Sequence, residues 1–159
     1  MPSKRGRTKV FTYAGFAAIG AIVVFMLFLT AANSRAEAFA RQYGNAVTQS
    51  NSLTAEYQAE VGKWTKKQYD NATMIAITDS YLPRFQKQID DAKTLDAPDK
   101  YVNARDLIIK SLDSEMQSYI HFRQYLQTGL QSEEEKSTEL LSLALQYEDE
   151  SFSSFKAAG

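Results

Sequence analysis

The sequence contains no cysteine, only one histidine, and few glycine and proline residues, 7 and 3 respectively among 159. Without cysteine the chain has no disulfide framework, no thiolate metal site and no cysteine nucleophile. The scarcity of glycine and proline, together with the lack of low-complexity runs, indicates that most of the chain lies in regular structure and favours long helices. A domain of this composition depends on its packed core for stability.

Basic residues are clustered only at the N-terminus. The formal net charge is −1, but four of the 18 Lys and Arg residues lie in the first nine positions, which leaves 14 basic and 19 acidic residues in the rest of the chain. Phosphate binding needs a clustered basic face, whereas the later Lys and Arg are interspersed with Asp and Glu. The charge pattern therefore argues against nucleic acid as a partner.

A long uncharged segment follows the basic N-terminus. Residues 10–32 are 23 consecutive uncharged residues, which as a helix span roughly 34 Å and can cross a hydrocarbon core about 30 Å thick. The positive-inside rule puts residues 1–9 in the cytoplasm and residues 33–159 on the outer side of the cell membrane. The sequence thus predicts a single-pass protein that contacts the lipid bilayer through residues 10–32.

Two other interpretations of the N-terminal segment stay open. The tripeptide Ala-Glu-Ala at 36–38 matches the small-x-small pattern of a signal-peptide cleavage site, although the apolar part of a signal peptide runs about 7–15 residues and this segment is longer. Cleavage after Ala38 would still leave the domain outside the membrane. A pilin-like leader cut at Lys-Arg-Gly 4–6 would keep two basic residues on the mature chain, which departs from the pilin pattern.

Apolar residues recur at spacings of three and four beyond the predicted anchor, as in amphipathic helices. The stripes cover residues 39–64, 74–95, 101–126 and 140–155. Pro98 prevents the second helix from continuing, and Gly129 marks the end of the third. We predict an all-α protein in which the transmembrane helix is followed by an up-and-down antiparallel four-helix bundle over 33–159, with its first helix at about 35–70.

The boundary between the first two helices is weakly marked. The segment around Asp70 and Asn71 contains neither Gly nor Pro, and the three-four spacing runs through it. One long helix over 35–96 with two further helices packed on it is therefore the alternative. The bundle is favoured because one long helix leaves the stripe from Tyr43 to Trp64 without a packing partner.

Two glutamates interrupt the apolar stripes. Glu115 lies in the third stripe and Glu148 in the fourth, where Leu or Ala would be expected. Two carboxylates in a bundle core bind a cation or titrate with raised pKa values. The alternative is that each lies at the solvated edge of its stripe or meets a Tyr hydroxyl or a Lys. These two residues are the candidate metal ligands, and no other metal site is predicted.

No catalytic or cofactor-binding arrangement is apparent. His121 is not part of the Glu-x-x-His pairs that build di-iron sites in bundles. An unbroken helix supplies neither a strained nucleophile turn nor an oxyanion pocket. We therefore expect His121 at the surface or at the core boundary, no cofactor, and no enzymatic activity.

Asn71-Ala72-Thr73 is a glycosylation sequon in the predicted loop. Asn71 is therefore the expected acceptor in a host that glycosylates.

The eight tyrosines after residue 32 form a separate group. A buried tyrosine needs a partner for its hydroxyl, so most of them are expected where the core meets water.

The stretch 64–155, with Pro98-Asp99-Lys100-Tyr101, the segment 111–115 and Tyr147-Glu148, resembles uncharacterised prokaryotic and archaeal envelope proteins with an N-terminal anchor and a small helical bundle. The resemblance implies the fold and carries over no activity. The expected function is that of a non-catalytic, membrane-tethered bundle that binds or braces another protein of the envelope, for example as an accessory subunit of a membrane complex. The alternative is an extracytoplasmic domain that binds a small ligand or cation around Glu115 and Glu148.

Overall fold

The computed structural model describes residues 34–159, which form four α-helices and one short 3-10 helix without any strand. The predicted all-helical fold is confirmed for this part of the chain. The predicted basic segment 1–9 and transmembrane helix 10–32 lie outside the described residues. No helix within 34–159 is long and apolar enough to cross a membrane. The elements are α1 (Ser34–Thr65), α2 (Asn71–Lys93), the 3-10 helix Asp99–Tyr101, α3 (Val102–Thr128) and α4 (Gln131–Ala158).

The first helix ends at Thr65, so its predicted end near residue 70 is wrong, and so is the single long helix over 35–96. Two backbone hydrogen bonds close it, from Gln68 N to Lys63 O (3.0 Å) and from Lys67 N to Trp64 O (2.8 Å). This pair is the Schellman motif, which needs a left-handed residue. Lys67 supplies that residue with a φ of 62°. The turn therefore forms without the glycine that usually marks it.

The second helix begins with a side-chain cap. The Asp70 carboxylate accepts a hydrogen bond from Thr73 N at 2.7 Å, which satisfies one of the N–H groups left free at a helix start. Pro83 lies inside α2, and the helix continues through it to Lys93. Pro83 therefore does not divide α2 into two helices.

The core consists of two groups of buried side chains. The first aromatic cluster lies at the end of the bundle where α1 begins and α4 ends, and the second cluster fills the other half. The second cluster draws its buried residues from α1, α2 and α3 only. The rings of the first cluster are Phe39, Tyr43, Tyr101, Phe152 and Phe155. The largest members of the second are Tyr57, Met74, Phe85, Met116, Tyr119 and Phe122.

Serine side chains cross the interface between α3 and α4. Each donates its hydroxyl proton to a backbone carbonyl of the other helix, so these polar groups are satisfied although they are largely buried. Small side chains also allow the two helices to approach closely. The three bonds are Ser111 Oγ to Ala144 O (2.8 Å), Ser118 Oγ to Ser137 O (2.7 Å) and Ser151 Oγ to Ala104 O (2.7 Å).

Candidate functional site

A partly enclosed cavity of about 60 Å³ lies between α1, α3 and α4. Glu115 and Glu148 both line it, so the structure brings together the two glutamates that interrupt the apolar stripes. The volume has room for roughly four water molecules. The other lining residues are Asn51, Thr54, Ala55 and Gln58 of α1, Ser111 of α3, and Leu141, Ala144 and Leu145 of α4.

Glu115 is buried, with only 8% of its surface exposed. Its Oε1 accepts hydrogen bonds from Thr54 Oγ1 and from the Tyr119 hydroxyl, both at 2.6 Å. Its Oε2 accepts none from the described residues. Burial raises the pKa of Glu115, and the two hydrogen bonds oppose that rise. The prediction that Glu115 lies at the solvated edge of its stripe is therefore wrong. The prediction that it meets a Tyr hydroxyl is confirmed by its hydrogen bond to Tyr119.

Glu148 is partly buried on the facing helix. Burial is the main cause that raises the pKa of Glu148 to about 7, and the charges of Glu115 and Asp149 add to it. The Asn51 amide opposes the rise. However, Asn51 Nδ2 is buried and makes no hydrogen bond within the described residues. A buried N–H without a partner is rare and marks a place where a water, a ligand or a rearranged acceptor completes the site.

The polar groups of the cavity are mostly acceptors. Within residues 34–159, no group of three or more His, Cys, Asp or Glu side chains is arranged to hold a metal ion. Two carboxyl groups beside hydroxyl oxygens nevertheless offer several acceptors to one positively charged donor. Two neighbouring buried carboxyls carry one negative charge more readily than two. The arrangement therefore suits a single positive charge.

A smaller cavity of about 20 Å³ adjoins the first. Gln58 and Leu141 line both cavities and separate them. Gln58 Nε2 donates a 3.3 Å hydrogen bond to the Tyr119 hydroxyl, which in turn donates to Glu115. The side chains around the smaller cavity include Val61 and Phe122. Its lining is therefore more aromatic and aliphatic than acidic.

His121 lines neither cavity and lies at the contact between α3 and α4. Its Nδ1 is 2.6 Å from Glu133 Oε2, and the two side chains are 28% and 25% exposed. This position agrees with the expected histidine at the core boundary.

Asn71 is the first residue of α2, so its predicted place in a loop is wrong. Its Oδ1 accepts a hydrogen bond from Trp64 Nε1 (3.0 Å), and its Nδ2 donates to Leu126 O (3.1 Å). A glycan is attached through Nδ2. Modification of the folded domain would therefore disturb a contact between helices.

Sequence reasoning missed the contribution of α1 to the site. Asn51 and Thr54 are polar residues on a mostly polar helix surface, and no sequence pattern sets them apart. The expectation that most tyrosines lie at the boundary holds for only half of the eight, because the other four are buried. Three of these four have a side-chain partner for the hydroxyl: Tyr43 with Ser151, Tyr57 with Thr78 and Tyr119 with Glu115.

Comparison of the chain with protein-family models, with curated proteins and with solved structures finds no match. The resemblance to anchored envelope proteins therefore stays a prediction. The cavity and its two glutamates are the features that bear on function.

Proposed function

We propose that this chain is a non-catalytic, membrane-tethered binding domain whose interior site takes a small cationic ligand. Residues 10–32 are the tether, and residues 33–159 are the extracytoplasmic domain. The observation that carries the proposal is that Glu115 and Glu148, from different helices, line one cavity. Ligand sites in helical bundles are built from side chains of facing helices in this way.

A cation would satisfy the atoms that the site leaves without partners. Burial disfavours ionisation of Glu115 and Glu148, and each ionised carboxylate disfavours the other. A positive charge between them reverses both effects. It would supply a donor to Glu115 Oε2, and an ionised Glu148 could then accept a hydrogen bond from Asn51 Nδ2. Ligand binding and carboxylate ionisation are therefore coupled.

The test compares the full chain with a Glu148→Gln variant in detergent, using Trp64 fluorescence to follow thermal unfolding. Trp64 packs against Phe122 in the second cluster, with 5.3 Å between the ring centroids, so its emission should change on unfolding. In buffer at pH 8 with tetramethylammonium as the counter-ion, the variant should unfold at a higher temperature than the unmutated chain, because it lacks a carboxylate whose ionisation is unfavourable.

Added cation should reverse that order, because a ligand stabilises only the form that binds it. The probes are the chloride salts of potassium, calcium, ammonium and methylammonium. A Glu135→Gln variant is the matched control, since Glu135 is an exposed acid on the same helix. If no probe raises the unfolding temperature of the unmutated chain more than that of Glu148→Gln, the proposal is wrong.

A second proposal is the bracing of another envelope component. α1 contains 32 residues and is about 48 Å long, which puts the turns after α1 and α3 at the end of the bundle opposite the proposed tether. Leu130 lies in the second of these turns. Among the described residues it is the large hydrophobic residue that is exposed to solvent, with 56% of its surface accessible. This position favours a contact through the distal turns.

Mild crosslinking in native membranes followed by purification tests the bracing role. A stoichiometric protein partner that is lost in a Leu130→Gln variant supports it. A partner that is retained by Leu130→Gln, or no partner at all, counts against a contact at this turn.

A further inference from the structure

The cavity at Glu115 and Glu148 has aliphatic walls that a bare inorganic ion would leave uncovered. Ala55, Leu141 and Leu145 line it beside the carboxyl groups. Building on the proposed function, we propose that the ligand is a short primary alkylammonium ion. Its NH₃⁺ group binds the two carboxyl groups, and its alkyl chain lies along the aliphatic side chains.

The acceptors of the site match an ammonium group, which has three N–H donors and no acceptor. Glu115 Oε2 and the Glu148 carboxylate are two acceptors. Thr54 Oγ1 has already given its proton to Glu115, and its lone pairs are the third acceptor. Ionised Glu148 also offers Asn51 Nδ2 the hydrogen-bond partner that this atom lacks within the described residues.

The charges around the cavity favour one positive charge. No Lys, Arg or His side chain lines it, so no basic group of the cavity wall competes for the carboxyls. Asp149 is the remaining acid that acts on Glu148, and Tyr43 on α1 is the nearby phenol coupled to it. A monovalent cation between the two carboxyls offsets the burial and mutual repulsion that otherwise keep one of them protonated, so both can accept its N–H groups.

A divalent metal ion fits these donors less well. Calcium takes six to eight oxygen ligands, commonly with several carboxylates, and magnesium requires an octahedron of six. Residues 34–159 hold no group of three or more His, Cys, Asp or Glu that could bind a metal ion. Two carboxyls of which one prefers to stay protonated are a weak site for a double charge.

The cavity volume limits the length of the alkyl chain. A space of about 60 Å³ accommodates roughly four water-sized groups, which corresponds to the nitrogen and two or three carbons. Each buried methylene should strengthen binding about three- to fourfold. A longer chain must displace Gln58 and break its hydrogen bond to Tyr119. We therefore expect affinity to rise from ammonium to propylammonium and to be lower for hexylammonium.

The experiment is calorimetric titration of the full chain in detergent with the chloride salts of ammonium, methyl-, ethyl-, propyl-, butyl- and hexylammonium, tetramethylammonium and calcium. The affinity should be highest for propylammonium. Tetramethylammonium has no N–H donor and should not bind. Calcium should bind more weakly than propylammonium.

Four variants locate the binding. Glu115→Gln and Glu148→Gln should each weaken propylammonium binding at least tenfold, whereas Glu135→Gln should leave it unchanged. Gln58→Ala should join the two cavities and move the best chain length upward by one or two carbons. This gain in function cannot come from a misfolded variant.

The outcomes separate this inference from the function on which it rests. Calcium or ammonium binding that needs Glu148, without any gain from an alkyl chain, overturns the alkylammonium proposal and leaves cation binding standing. Amine binding that is as strong in Glu115→Gln and in Glu148→Gln as in the unmutated chain places the ligand elsewhere and overturns it too. If no cation binds the unmutated chain, both proposals fail.

Discussion

Lys67 adopts at the end of α1 the left-handed backbone conformation that Gly129 adopts at the end of α3. Their φ angles are 62° and 72°. Both residues close a helix at the same end of the bundle. For lysine this conformation brings Cβ close to a backbone carbonyl, whereas glycine has no Cβ and avoids the contact.

Replacing Lys67 by glycine should stabilise the domain by about 0.5–1 kcal/mol, because relief of the steric strain exceeds the added flexibility of the unfolded chain. Gly129→Ala should destabilise it by about 1 kcal/mol. No atom lies within 4 Å of a Cβ built at Gly129, so that loss is conformational. Chemical denaturation measures both changes. Lys66→Gly is the control and should destabilise, since Lys66 lacks a positive φ.

The stability of the ligand-free domain should fall as pH rises from 5 to 8. The pKa of Glu148 is raised to about 7 by burial and by the charges of Glu115 and Asp149. In the unfolded chain a glutamate titrates near 4.3. The folded state therefore holds more protons in this window, and its free energy of unfolding decreases by about 1–3 kcal/mol as they are lost.

Denaturation curves at several pH values check this dependence. Glu148→Gln should flatten the decline, and Glu135→Gln should leave it as it is. The expectation is contradicted if the stability of the domain rises between pH 5 and 8 and if Glu148→Gln shows the same pH dependence as the unmutated chain. Glu148 would then be ionised at little cost.

Removing the Ser151 hydroxyl should destabilise the domain more than removing the Tyr43 hydroxyl, although the two groups share one hydrogen bond. Ser151 Oγ gives its proton to Ala104 O, so the Tyr43 hydroxyl is the donor in their 2.6 Å contact. Ser151→Ala leaves a buried hydroxyl without an acceptor and should cost about 1–3 kcal/mol. Tyr43→Phe leaves no donor unpaired and should cost about 0.5–1.5 kcal/mol.

A double-mutant cycle by chemical denaturation decides the point. Once Tyr43 is Phe, replacing Ser151 by Ala should cost less than it does alone. Strictly additive losses would mean that the two hydroxyls do not interact.

The N-terminal segment should remain on the mature protein. Residues 10–32 are longer than the apolar part of a signal peptide, although the pattern that ends at Ala38 resembles a cleavage site. Intact-mass measurement of the membrane-extracted chain should include the residues before Ala38. Recovery of a soluble chain that begins at Phe39 would contradict the tether.

Sequence periodicity predicted the helices because burial of one face repeats every three or four residues. Gly129 and Pro98 also predicted where helices stop. The turn at Lys67 could not be predicted, because a lysine gives no signal for a left-handed backbone. The turn is defined by the hydrogen bonds that the folded chain forms there. For the same reason the sequence left one long helix open as an alternative.

The candidate site was predictable only in part. Glu115 and Glu148 stand out because each replaces an apolar residue in a stripe. That they share a cavity depends on how far α3 and α4 slide against each other, which the spacing within one helix does not determine. Asn51 faces the cavity because of the way α1 is rotated about its own axis. That rotation depends on contacts made by aromatic rings far from Asn51 in the chain.

The first aromatic cluster joins the two ends of the described chain, with Phe39 and Tyr43 on one side and Phe152 and Phe155 on the other. Tyr43 and its partner Ser151 are 108 residues apart. A ribosome that adds about 5–20 residues per second needs roughly 5–20 s to cover that distance. During this interval Phe39 and Tyr43 can meet Tyr101 and its neighbours, but the α4 rings that complete the cluster have not been made. A chain released before Phe152 therefore leaves this cluster incomplete and part of its apolar surface exposed.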